Sequence, residues 1–207
     1  MADSISGTYT FVDTCYSPEL GIYVAVAKDL SSGTTPAQIY VSDNGSDWTL
    51  KKTLSQAKHF GNPNTRQVVV WWEKEQKFVL AANNKIFISD DGTTWSESTN
   101  ESMVGSNTTV ATNGQTLALA AGGTVKVYNS LDDTPPISSD STAFKLVDNS
   151  AVAKTIGLTP SDPMRYAVGD QYKIWYFDAE GTKTTLPSNI WHSLTIWNMS
   201  KDLTVGL

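Results

Sequence analysis

The chain has 207 residues, of which 40% are hydrophobic, enough for one buried domain or an array of short units sharing a core, and not the composition of a disordered polymer. Its net charge is −6 and its pI is near 4.8, which opposes contact with phosphate backbones. Arg66 and Arg165 are its two arginines and Lys51-Lys52 its one adjacent lysine pair, so no nucleic-acid partner is expected.

Charged residues make up only 17%, and Ser, Thr, Asn and Gly fill the gap, a balance that suits short strands and many turns. Residues Met1 to Gly7 carry neither a basic nor an apolar leader, so no signal peptide is predicted. No apolar run reaches the length of a membrane span, and membrane insertion is not expected. The single cysteine, Cys15, cannot form an intrachain disulfide and sits among strand-like residues. It reads as a small buried hydrophobe, because a catalytic thiol would want a histidine in a motif and His59 and His192 lie in none.

Along the chain, the first strand-like stretch is Tyr9 to Tyr16, followed by Ile22 to Ala27, an inserted Ser-Gly-Thr-Thr-Pro loop, and Ile39 to Ser42. An acidic glycine turn, Asp43-Asn44-Gly45-Ser46-Asp47, then leads to Trp48 at the start of a fourth strand. The second round runs Arg66 to Trp72, Lys77 to Ala82 and Lys85 to Ser89, then the turn Asp90-Asp91-Gly92-Thr93-Thr94 and Trp95. Asp43 and Asp90 are 47 positions apart, as are Trp48 and Trp95. The third round is weaker: Thr108 to Thr112, Thr116 to Ala121, Thr124 to Tyr128, a longer turn with Asp132-Asp133, and Phe144 to Val147. The fourth comprises Ala151 to Leu158, Met164 to Val168, Tyr172 to Phe177, the turn Asp178-Ala179-Glu180-Gly181, and Lys183 to Leu186. A fifth begins at Ile190 to Trp197 and reaches Leu203 to Leu207. No segment keeps an apolar period of 3.6 residues, so no helix is predicted.

Repeats of about 40 to 50 residues with four strands each describe the blades of a β-propeller. The expectation is a single all-β domain over 1–207, with blades at approximately 9–60, 61–103, 104–149 and 150–189. A partial fifth blade, 190–207, would be closed by the N-terminal segment near Ser4 to Thr8, or completed by another chain. A β-sandwich is the alternative; it explains the number of strands but not their recurrence.

The two acidic turns resemble Asp-box repeats, known from bacterial neuraminidases and other propellers, with degenerate copies at Asp132-Asp133 and Asp178 to Gly181. The strings Gly21 to Val26 and Ile88 to Trp95 are also similar to repeats in bacteriophage tail and bacterial surface proteins. The resemblance implies a structural turn. Gly45 and Gly92 take positive φ, the carboxylates of Asp43 and Asp90 accept backbone N–H groups, and Trp48 and Trp95 close the hairpin base. A calcium site is not expected, since the alternating oxygen ligands of a calcium loop are missing. No metal or other cofactor is called for.

The neuraminidase likeness also implies three arginines clamping a substrate carboxylate, and this chain has two. No phosphate loop, nucleophile elbow or zinc-binding motif occurs, so no catalytic residue is assigned and a non-enzyme is expected. The aromatics beyond the turns, Trp71, Trp72, Trp175, Trp191 and Trp197, are candidate contacts for a sugar or protein, against the plainer reading that they fill the core between blades. The leading expectation is therefore a non-catalytic structural or receptor-binding component of a larger assembly, a bacteriophage virion or tail. The alternative is a carbohydrate-binding or glycan-cleaving propeller. The partners would be other structural proteins, a surface glycan or a receptor. The location would be the virion, or else the cytoplasm or the exterior by a non-classical route.

Overall fold

The computed structural model describes residues 9–29, 36–54, 68–82, 85–100, 109–121, 124–134, 138–140, 155–158, 166–169, 174–177 and 183–185. Within them the chain is all-β: sixteen strands form four antiparallel sheets of four. Sheet 1 holds β1 (Tyr9–Ser17), β2 (Ile22–Asp29), β3 (Gln38–Ser42) and β4 (Thr49–Thr53). Sheet 2 holds β5 (Val69–Trp72), β6 (Lys77–Ala82), β7 (Lys85–Ser89) and β8 (Ser96–Glu97). Sheet 3 holds β9 (Thr109–Thr112), β10 (Leu117–Ala121), β11 (Thr124–Tyr128) and β12 (Ser138–Asp140). Sheet 4 holds β13 (Thr155–Leu158), β14 (Tyr166–Gly169), β15 (Ile174–Phe177) and β16 (Lys183–Thr185). In every sheet the strands lie in chain order, each hydrogen-bonded to the next. One short 3-10 turn, Glu73–Glu75, joins β5 to β6, a departure from the helix-free expectation too short to pack a face of its own.

Strand periodicity explains how the sheets stack. Successive residues of a strand point to opposite faces, so one strand can serve two cores. Along β6, Phe78, Leu80 and Ala82 join Val24, Val26 and Ile39 of sheet 1 in one core. The intervening Val79 and Ala81 join Val110, Leu117, Leu119 and Tyr128 of sheet 3 in another. Sheet 2 is thus apolar on both faces, as a strand run such as Val69-Val70-Trp71-Trp72 requires. Complete burial of side chains the size of Phe78 or Leu80 is worth about 1.5–3 kcal/mol each.

Neighbouring sheets approach most closely along their first strands, β1 to β5, β5 to β9 and β9 to β13. Polar ties reinforce the stack. The Lys74 N–H donates to the Gly114 carbonyl at 2.9 Å, and the Lys74 ammonium donates to the carbonyl and side-chain oxygens of Asn129 at 2.9 and 2.7 Å. The partial fifth blade and the N-terminal segment near Ser4 to Thr8 lie outside the described residues.

Candidate functional site

The two acidic turns are built alike, but not from the predicted oxygens. In the first, the Asn44 side-chain oxygen accepts the N–H groups of Ser46 and Asp47, both at 2.8 Å. In the second, the Asp91 carboxylate accepts Thr93 and Thr94, both at 2.7 Å. A serine at the strand end completes each turn: Ser42 and Ser89 accept the N–H of Gly45 and Gly92, both at 2.9 Å. Gly45 and Gly92 have φ of 73° and 71°, where a side chain is strained. Asp43 and Asp90 therefore do not cap these turns: Asp43 is exposed and Asp90 pairs with Lys77. The capping residue is the next one along, because only from there does a side-chain oxygen reach N–H groups two and three positions ahead. Burial works against the Asp91 charge, but the Thr94 and Thr93 N–H groups outweigh it and hold the carboxyl well below the usual range. The third turn is built differently: the Asp133 carboxylate reaches back to the N–H groups of Asn129 and Ser130, at 2.6 and 2.9 Å.

Trp95 closes its turn as an anchor, its indole N–H donating to the Gly92 carbonyl at 2.8 Å. Trp71 and Trp72 are buried, Trp71 between sheets 1 and 2 and Trp72 between sheets 2 and 3, so neither offers a surface to a ligand. Both indole N–H groups are buried with no hydrogen-bond partner among the described residues. Of Trp175 only the backbone, in β15, is described, and Trp191 and Trp197 lie outside the described residues.

Among the described residues, the exposed aromatic surface is instead on sheet 1. Phe11, Tyr16 and Leu50 are 37%, 44% and 43% exposed, and the half-buried Tyr23 and Trp48 join them. Phe11 lies against Tyr40 and Trp48, with ring centres 5.5 and 5.4 Å apart. The sequence signal was available: Tyr9, Phe11, Tyr16, Tyr23 and Tyr40 all belong to one sheet.

On the opposite face of the same sheet sits a group that sequence reading passed over. A bulge between Phe11 and Asp13 turns the Asp13 carboxylate toward sheet 2, where it accepts the N–H groups of Val68 and Val69 at 2.6 and 2.9 Å. Burial raises its pKa to about 6, offset in part by those two N–H groups and that of Thr14. Neighbouring Cys15 is half-buried, and burial together with the Asp13 charge pushes its thiol well above the ordinary value, which disfavours the thiolate.

A small polar cleft of about 130 Å³ opens beside the second turn, lined by Lys77, Ser89, Asp90, Asp91 and Thr94 among others. It is smaller than the roughly 300–1,000 Å³ typical of ligand sites. Among the described residues no three His, Cys, Asp or Glu side chains gather as a metal site, and no helix is long and apolar enough to cross a membrane.

No family model matches the chain, and no curated protein is similar enough to show kinship. A solved structure is similar in fold: a GH74 enzyme from Niastella koreensis, at a TM-score of 0.56 and 15% identity, matched over 84% of this chain. The chain spans 30% of that enzyme.

Proposed function

We propose that this chain is part of a β-propeller that binds a polysaccharide. The propeller reading is supported by four meander sheets stacked face on face and closest at their first strands, the arrangement of blades about an axis. On this reading the acidic turns are Asp boxes, marking the fold and not the chemistry. The observation that carries the glycan reading is the fold shared with the GH74 enzyme, whose designation is that of a glycoside hydrolase.

Binding is proposed in preference to cleavage because the described carboxyls with displaced pKa serve the architecture. Asp13 holds two sheets together and Asp91 caps a turn. Glycoside hydrolysis asks for two carboxyls about 5–10 Å apart across a cleft that admits a sugar. The polar cleft beside the second turn holds Asp90, paired with Lys77, and Asp91, committed to its turn. The reading as a structural part of a phage particle rests on the sequence resemblance alone.

A polysaccharide array combined with a reducing-end assay tests the proposal. Retention on a glycan without release of reducing ends is expected. Binding accompanied by release would make the chain a hydrolase. No binding to any glycan, with recovery in a multi-protein particle, would replace the proposal by the structural-component reading.

A further inference from the structure

We propose that the outer edge of sheet 1, strand β4, is a docking site for an extended acidic segment of a partner protein, added to the sheet as a further strand. Thr49–Thr53 is the last strand of its sheet, paired with β3 on one side, and all five of its residues are exposed. The outward-facing N–H and C=O groups of such a strand are a template for another. The other sheets keep their outer strands short: β8 has two residues, and β12 and β16 have three each. Shortness is an ordinary way of blunting an edge, and sheet 1 does without it.

Sheet 2 shows a closed edge at the same position of the repeat. Glu97 of β8 is tied back to Lys85 of β7 by an ion pair at 2.7 Å. Forty-seven positions earlier stand Leu50 and Gln38, which make no such tie. Leu50 is exposed, and Gln38 instead accepts the Tyr40 hydroxyl at 2.7 Å. Lys51 and Lys52 follow. Elsewhere Lys74, Lys77 and Lys85 are committed to Asn129, Asp90 and Glu97. Lys51 and Lys52 have no partner among the described residues, and Asp47, the carboxylate nearest in sequence, is hydrogen-bonded to Asn44 at 2.9 Å.

Two adjacent open charges of positive sign, on a chain whose net charge is −6, specify the chemistry of the partner. Lysines on an edge strand guard it against indiscriminate pairing, as does a bulge, and the register leaves Lys51 without an opposite residue on β3. That guard is selective by sign. It repels a second copy of β4, which brings the same two charges, and it attracts a strand that carries carboxylates. Leu50 adds an apolar contact beside the charges, so the fitting segment alternates acidic with apolar residues.

A fluorescent peptide of alternating glutamate and valine, titrated with the full chain and read by anisotropy, tests this without any glycan and is therefore independent of the proposed function. Saturable binding is expected, together with slower amide exchange over Leu50 to Thr53. Lys51→Glu/Lys52→Glu should weaken it at least about tenfold, and so should exchanging the glutamates of the peptide for lysines. The same peptide with its backbone N–H groups methylated should bind at least about tenfold more weakly, because strand addition needs them. Absence of binding to the parent chain would overturn the proposal, as would an affinity that charge reversal leaves unchanged. Equal binding of the methylated peptide would also overturn it, since that is attraction of charge without a strand. So would equally tight, lysine-dependent binding of polygalacturonate, which would make the edge a site for an anionic polysaccharide. If charge reversal lowers the melting temperature, Lys51→Gln/Lys52→Gln replaces it, with a loss of at least about fivefold expected and an unchanged affinity counting against the proposal.

Discussion

The turns ending at Trp48 and Trp95 use the same serine, the same glycine conformation and the same pair of capped N–H groups. Around them, three rings sit at nearly the same spacings. Yet one triad is buried and the other half in water. Local sequence makes the turn; the neighbouring sheet decides how much that turn contributes to stability. The comparison also separates two quantities usually entangled, the strain of a backbone conformation and the packing against it.

The largest expected difference is between Trp71→Ala and its counterpart Tyr16→Ala. Trp71 fills the core between sheets 1 and 2, and truncating it should cost about 3–5 kcal/mol. Tyr16, 44% exposed, should cost under about 1 kcal/mol. Thermal melts of the two variants read the gap directly, and equal losses would mean that the two faces are equally buried.

Gly92→Val and Gly45→Val come next. Both place a β-branched residue at positive φ, a strain of about 1–3 kcal/mol. Gly92 adds a clash with Val24 and Ile22, a further overpacking cost of about 1–3 kcal/mol, whereas among the described residues a Cβ on Gly45 meets only Tyr23, at 3.7 Å. Denaturant midpoints should therefore fall further for the Gly92 variant. Equal midpoints would show that strain alone governs the turn.

The meander, the recurrence and the positive φ of Gly45 and Gly92 were legible because each is local: alternation, a repeat spacing and a turn glycine need no third dimension. The capping oxygen was not, since Asp43-Asn44 and Asp90-Asp91 offer adjacent oxygens and only the backbone path selects the second. The burial of Trp71 and Trp72 turns on whether both faces of β5 are covered, which depends on sheets on either side. Asp13 was hidden for the same reason: the N–H groups it serves are 55 and 56 positions away. A carboxylate as the one charged residue of β1 was the available signal.

Asp13 supplies a pH test of the contact between sheets 1 and 2. Its folded pKa, about 6, lies above the ordinary 3.8, so between those values the folded chain holds a proton that the unfolded chain has released. Stability from this group is full below pH 4 and falls as the pH rises through 6, by about 3 kcal/mol for a shift of some two units. The difference in melting temperature between the parent and Asp13→Asn should accordingly move in favour of the variant from pH 4.5 to pH 7.5. A pH-independent difference would show that the Val68 and Val69 N–H groups hold the carboxylate charged throughout.

The smallest expected effect returns to the turns and asks whether the charge on Asp91 matters at all. Asn44 does the same work in sheet 1 with a neutral oxygen. Asp91→Asn keeps the accepting oxygen for Thr93 and Thr94, so stability at pH 7 should change by no more than about 0.5 kcal/mol. The sign of the pH effect is opposite to that of Asp13. The Asp91 pKa is depressed in the folded chain, so its contribution is present above the ordinary carboxylate range and is lost as the pH falls below about 4. The carboxylate is largely exposed, and solvent screening keeps that loss small. Acid titrations of stability should show the parent losing slightly more than the variant below pH 4, with the two curves parallel above it. If Asp91→Asn instead destabilises strongly at pH 7, the two turns are equivalent in geometry but not in energetics, and the charge in sheet 2 supports its position against sheet 1 in a way that Asn44, on the open sheet, does not need.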